Sequence, residues 1–128
     1  MSTNAKRALI VDDNVALARV TQFALDRAGY ETQTAYNGRL ALELARNSHF
    51  DVVVTDQQMP ELTGLELCRE LRKLPEYKNC PILLLTAKGL ELELPRLRDE
   101  LGIDATFSKP FSPSAIVKKV NELVAVPV

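Results

Sequence analysis

From Arg7 to Asp12 the chain runs through Ala8, Leu9, Ile10 and Val11 without a polar interruption, the pattern of a strand covered on both faces. The period then changes. Between Val15 and Ala28 the residues Leu17, Val20, Ala24 and Ala28 fall at helical spacing, and Gly29 follows where helices commonly stop. Tyr30 to Ala35 alternates Tyr30, Thr32 and Thr34 with more polar neighbours, as an edge strand does, and Asn37 offers a cap to a helix carrying Leu40, Ala41, Leu44 and Ala45. Asp51 to Thr55 is again an apolar strand through Val52, Val53 and Val54, closed by Asp56. A loop with Pro60 and Gly64 leads to a third helix bearing Leu67, Cys68 and Leu71, after which Pro81 introduces Ile82, Leu83, Leu84 and Leu85, ending at Thr86.

Leu90, Leu94, Leu97 and Leu101 keep helical spacing with Pro95 inside the pattern, so Pro95 either opens that helix or kinks it. Asp104 to Ser108 predicts a short strand before Lys109 and Pro110. Ser112 and Pro113 supply a cap and a first-turn proline for a last helix with Ile116, Val120, Leu123 and Val124 as its buried stripe. Five strands alternating with five helices predict an α/β fold, a doubly wound parallel sheet between helical layers, as a single domain over 1–128. Ligands of such sheets sit beyond the carboxyl ends of the strands, so the strand ends decide the chemistry.

Composition changes this picture little. A chain of 128 residues buries roughly two thirds of its unfolded surface. With 16 Lys plus Arg against 17 Asp plus Glu, a formal charge of -1, no basic field points to a direct nucleic-acid or membrane partner. No apolar run approaches the ~20 residues of a bilayer span, and Met1 to Arg7 lacks the apolar core of a signal peptide, so a cytoplasmic location is expected. Cys68 and Cys80 have neither the number of a disulfide framework nor metal-ligand spacing and are expected to be free thiols. His49, the sole histidine, is given no role.

The strand ends carry more. The first ends in Asp12 and Asp13, the third in Asp56, the fourth in Thr86 and the fifth in Lys109. Any one of these has a bland explanation, since Asp caps helices and Lys is usually solvated surface. Three carboxylates facing one another, however, would repel and raise their own pKa values unless a cation compensated them. With oxygen ligands and neither imidazole nor thiolate nearby, the fitting ion is a hard one, magnesium with manganese as a substitute, and phosphate is the substrate such a site suits.

The ordered set Val11-Asp12-Asp13, Asp56-Gln57-Gln58-Met59-Pro60, Gly64, Leu85-Thr86-Ala87 and Lys109-Pro110-Phe111 resembles the receiver domains of two-component response regulators, over nearly the whole chain. The resemblance implies a flavodoxin-like (βα)5 fold with strand order 2-1-3-4-5, and Asp56 as acceptor of a phosphoryl group from a sensor histidine kinase, a phosphotransfer protein or a small donor such as acetyl phosphate. It implies metal ligation by Asp13 and Asp56 directly, by Asp12 through water and by the main-chain carbonyl of Gln58. Lys109 and Thr86 would meet phosphoryl oxygens, and a cis peptide would join Lys109 to Pro110. Such a domain is no enzyme: it promotes only its own phosphorylation and dephosphorylation, and a downstream effector protein reads the altered surface. Gln58 and Lys88 are the candidates for setting the phosphoryl lifetime.

One position departs from the family pattern. Where most receivers carry an aromatic residue three places before the lysine, this chain has Thr106, with Phe107 beside it. Neighbouring strand positions point to opposite faces, so Phe107 is expected in the core and the signal is expected to leave by another route. The chain ends soon after its last helix, which suggests a stand-alone regulator of the chemotaxis or phosphorelay type. Two rival readings stay open: a degenerate receiver acting as a phosphorylation-independent scaffold, and a haloacid dehalogenase-like phosphatase. The latter would need an acid where Asn14 stands. A flavoprotein is disfavoured because the Asp12-Asp13 pair would repel a flavin phosphate.

Overall fold

The computed structural model describes residues 5–86 and 93–124. Ala87, Lys88 and Leu90 from the reading above lie outside the described residues, as do the first four and last four residues. Strands β1 (Arg7–Val11), β2 (Glu31–Ala35), β3 (Val52–Asp56), β4 (Ile82–Thr86) and β5 (Ile103–Ser108) pair in parallel in the order 2-1-3-4-5. Helices α1 (Val15–Arg27), α2 (Gly38–Asn47), α3 (Gly64–Arg72), α4 (Leu94–Leu101) and α5 (Pro113–Val124) alternate with them. The unbroken apolar runs of β1, β3 and β4 are central and buried, and β2, with its interleaved polar residues, is an edge.

Side chains of successive strand residues enter two cores. Leu9, Val11, Val53, Ile82 and Leu84 pack with Ala41, Leu67, Leu71 and Leu97 from α2, α3 and α4. Ala8, Ile10, Val54, Leu83 and Leu85 pack with Ala18, Leu25, Ile116 and Val120 from α1 and α5. Thr106 pairs with Leu84 and so stands on the α3 and α4 side, whereas Phe107 pairs with Leu85 and packs into the α1 and α5 core. The expected division between these two residues holds.

Local chemistry sets the element ends. Asn14 and Asn37 accept the N–H groups of Leu17 and Leu40 at the starts of α1 and α2. Pro95 lies in the first turn of α4 and opens the helix rather than kinking it. Gly102, at φ +66, ends it in the left-handed conformation. Strand β5 starts one residue earlier than expected, at Ile103, because the β4–β5 register shifts between Ile82 and Leu83. Asp104 stands at that irregularity, and its carboxylate accepts the Ile82 N–H at 2.9 Å.

Two tertiary clamps have no counterpart in the periodicity. A 3-10 turn at Pro75–Tyr77 delivers the buried Tyr77, whose hydroxyl meets the carbonyls of Ala45 and Ser48 at 2.9 and 2.7 Å. The Arg72 guanidinium donates to four carbonyls, those of Leu101, Tyr77, Cys80 and Gly102. It thereby ties the end of α3 to the 3-10 turn, the approach to β4 and the end of α4. Cys68 and Cys80 are free and buried, and burial pushes both thiols up to about 12.

Because each carbonyl left without its partner carries a desolvation cost of ~1–3 kcal/mol, and some regain water, Arg72→Met is expected to lower the unfolding free energy by about 3 kcal/mol. Urea denaturation measures it; a loss below about 0.5 kcal/mol would show the clamp to be energetically idle.

Candidate functional site

The chain leaves β1 toward β2 and returns past it to β3, so the loops after β1 and β3 diverge and open a crevice at the carboxyl edge of the sheet. Asp12 follows β1 and Asp56 closes β3, the strand hydrogen-bonded to it. Both carboxylates are buried, at 1% and 2% exposure, while Asp13 is exposed at the rim. One oxygen from each of the three lies within 4.8 Å of the others. All three predicted acids are therefore brought together.

Asp12 is oriented by its surroundings. Its N–H donates to the Ala35 carbonyl at 3.1 Å, and its Oδ1 accepts the Asn14 N–H at 2.9 Å. Asn14 in turn caps α1, a structural use for the position where the phosphatase reading needs an acid. Burial holds the Asp12 carboxyl above the ordinary carboxylate range, and the charges of Asp56 and Asp13 act in the same direction. The Asn14 N–H and the Lys109 ammonium oppose that rise without cancelling it.

Lys109 arrives from the end of β5, two strands away from β3. Its N–H donates to the Thr86 carbonyl at 2.9 Å, its peptide with Pro110 is cis, and its ammonium lies 2.8 Å from Asp56 Oδ1. Among the described residues, Asp12 Oδ2 and Asp56 Oδ1 are buried side-chain atoms with no hydrogen bond of good geometry, so the contact of Asp56 Oδ1 with Lys109 is an ion pair. Three carboxylates and one ammonium leave a local formal charge of about -2, which a divalent cation would neutralise. The oxygen spacing suits a small ion after slight contraction, since opposite ligands of octahedral magnesium stand ~4.2 Å apart. The residues fit the metal on donor type, spacing and orphaned oxygens.

Thr86 ends β4 between Asp56 and Lys109 and is buried at 3% exposure. Gln58 lies exposed in the loop after β3. That loop is tightly held. Leu62 donates its N–H to the Pro60 carbonyl at 2.8 Å across Glu61, which takes φ 70. Gly64 packs so closely on the chain that an added Cβ would overlap the Asp56 carbonyl oxygen and come within 2.9 Å of Gln57 Cα.

Three residues near the site have structural roles that the sequence analysis did not assign: Thr63, Glu66 and Gln57. The spacing Thr63-x-x-Glu66 carries the capping-box signal, and both of its bonds form at the start of α3. Gln57, whose side chain accepts the Leu65 N–H at 2.8 Å, has no such signal, because its partner is fixed only by the fold.

Comparison with known proteins agrees with this arrangement. A family model described as the response regulator receiver domain matches residues 8–121. The alkaline phosphatase synthesis transcriptional regulatory protein PhoP of Bacillus subtilis (strain 168) is 38% identical over 119 residues, 93% of this chain and 48% of the relative. The transcriptional regulatory protein ResD of the same organism is 37% identical over 123 residues, 95% of this chain and 49% of the relative. The chain thus spans about half the length of these curated relatives. Among solved structures, chemotaxis protein CheY4 of Vibrio cholerae superposes with a TM-score of 0.86 at 34% identity, covering 93% of this chain and 98% of that one. The matched span, the strand order and the acidic crevice agree, and the chain belongs to the response regulator receiver domains of two-component signalling.

Proposed function

We propose that this chain is a phosphoacceptor switch in which Asp56 takes a phosphoryl group from a histidine kinase, a phosphotransfer protein or a small donor such as acetyl phosphate. The observation that carries the reading is the buried Asp56 carboxylate, 2.8 Å from the Lys109 ammonium and within 4.8 Å of two further carboxylates. A carboxylate oxygen of Asp56 attacks phosphorus and forms an acyl phosphate. The bond from phosphorus to the donor breaks, and its electron pair leaves with the imidazole or acetate. Lys109 pairs with Asp56 before transfer and with a phosphoryl oxygen after it. Thr86, on the intervening strand, donates its hydroxyl to a second phosphoryl oxygen.

Asp13 and Asp56 directly, Asp12 through water and the Gln58 main-chain carbonyl would hold magnesium, or manganese in its place. The bound ion supplies positive charge to the phosphoryl oxygens. The protein's own contribution is placement and a preorganised field. In this reading the chain is a single receiver domain in the cytoplasm, without substrate turnover beyond its own phosphorylation and dephosphorylation. Its output is a changed surface read by an effector protein, since the added charge of close to -2 draws on Thr86 and the adjoining chain. With Thr106 in place of an aromatic residue, the change is read elsewhere than through a rotating ring.

Intact-mass measurement tests the chemistry. Wild type with acetyl phosphate and magnesium is expected to gain one phosphoryl group, Asp56→Asn none, and Lys109→Met to acquire it about 10²–10³-fold more slowly. No gain in wild type would favour the scaffold reading.

A second expectation follows from Asp12. Its native pKa is raised, so between the ordinary value near 4 and that raised value the folded state binds more protons than the unfolded one. Stability from this group is therefore lost as pH rises through that window. In chelator, Asp12→Asn is expected to melt higher than wild type at pH 7, with the advantage shrinking toward pH 4. Saturating magnesium is expected to reverse the order by stabilising wild type. Thermal unfolding monitored by circular dichroism reads both, and equal melting points at every pH and metal level would refute the linkage.

A further inference from the structure

We infer that Gln57 is a positioning residue of the phosphoacceptor site, fixing the loop that follows Asp56 against the first turn of α3. The inference rests on the reading of Asp56 and the Gln58 carbonyl proposed above.

The N–H groups that open α3 have no partner within the helix. The Thr63 side chain accepts the Glu66 N–H at 3.2 Å, and Glu66 Oε1 accepts the Thr63 N–H at 2.8 Å. Both remaining donors go to residue 57. Its main-chain carbonyl accepts the Gly64 N–H at 3.0 Å, and its side-chain Oε1 accepts the Leu65 N–H at 2.8 Å. On the opposite side the Gln57 N–H donates to the Leu85 carbonyl of β4 at 2.8 Å. Gln57 is thus bonded to β4 and to α3 at the link between the acceptor carboxylate and Gln58.

Any residue makes the two main-chain bonds. Only an acceptor of glutamine's reach makes the third, so that bond is what the identity of residue 57 contributes. The contact has little slack, because Gly64 already lies against the Asp56 carbonyl and Gln57 Cα. Release of the Leu65 N–H would let the first turn of α3 part from the loop. The Gln58 carbonyl would then lose its fixed orientation, although Gln57 touches neither phosphoryl group nor metal. Groups that orient metal ligands in this indirect way commonly shift metal affinity by ~10–100-fold when removed.

Magnesium titration by calorimetry tests this, together with the magnesium concentration giving half-maximal phosphoryl uptake from acetyl phosphate. Gln57→Met keeps the length and removes the acceptor, and Gln57→Asn keeps the amide but falls short of Leu65. Each is expected to weaken magnesium binding by about ten-fold and to raise the half-maximal magnesium concentration in step, with the rate at saturating magnesium little changed. Gln57→Glu, which restores an acceptor of the right reach, is expected to stay within about three-fold of wild type. Thr63→Ala removes a cap from the same turn and is expected to lower the melting temperature while leaving magnesium affinity intact.

Wild-type affinity in both Gln57→Met and Gln57→Asn would overturn the inference while the phosphoacceptor reading stands. So would an equal loss in Thr63→Ala, which would trace the effect to general loosening of the helix. A wild type that binds no magnesium and matches Asp56→Asn in taking up no phosphoryl group would overturn the reading and the inference together.

Discussion

Two carboxylates, Asp12 and Asp56, are held out of water at the ends of hydrogen-bonded strands, and their mutual repulsion sets the terms for everything around them. Parallel strands lie ~4.8 Å apart, so residues that close β1 and β3 face each other without any loop having to deliver them. The surroundings answer that repulsion only in part. Asn14 offers a single N–H to Asp12, and Lys109 crosses from β5 to meet Asp56. The remaining negative charge makes the crevice receptive to a divalent cation, and the cation makes it receptive to phosphate.

Everything else near the crevice serves to keep those groups in register. The cis peptide after Lys109 accompanies a bond from its N–H to Thr86, so the ends of β4 and β5 stay joined where the lysine turns inward. The loop after Asp56 is held at three points: the Gln57 bonds, the tight turn across Glu61 and the close packing of Gly64. Thr106 and Phe107 occupy opposite faces of β5, so the aromatic ring belongs to the α1 and α5 core while a small hydroxyl faces α3 and α4. Thr86, two residues along β4 from Leu84, lies on the same face of the sheet as Thr106, which offers no bulky side chain there.

Much of this was legible in the sequence, because periodicity and strand-end chemistry are local. Val52, Val53 and Val54 announce a buried strand, Asn37 a cap and Ser112-Pro113 a helix start, and each does so without knowledge of the fold. Pro95 was ambiguous for a physical reason: Leu90 extends the helical spacing past it, whereas proline's missing N–H favours the first turn. The illegible parts depend on distant partners. Tyr77 matters through carbonyls at Ala45 and Ser48, Arg72 through carbonyls on four separate residues, and Gln57 through the N–H of Leu65. Asp104 gives no hint that it replaces a ladder acceptor at a register shift. Such contacts exist only once the chain has closed on itself.

The Arg72 clamp also fixes the mechanics of α4. Its C-terminal end is gripped at Leu101 and Gly102, while Glu93 at the other end makes no side-chain cap. Leu94, Leu97 and Leu101 pack along one side of the helix, so the hydrogen bonds at Leu101 and Gly102 make that end the natural pivot. Across the ~12 Å of an eight-residue helix, a rotation of roughly 10° about Gly102 moves the far end by about 2 Å. Between the parallel strands β4 and β5 the helix runs back along the sheet, so its N-terminal end stands toward the carboxyl edge, where Asp56 lies, and its clamped end toward the opposite edge, as a pointer with its fulcrum away from the crevice.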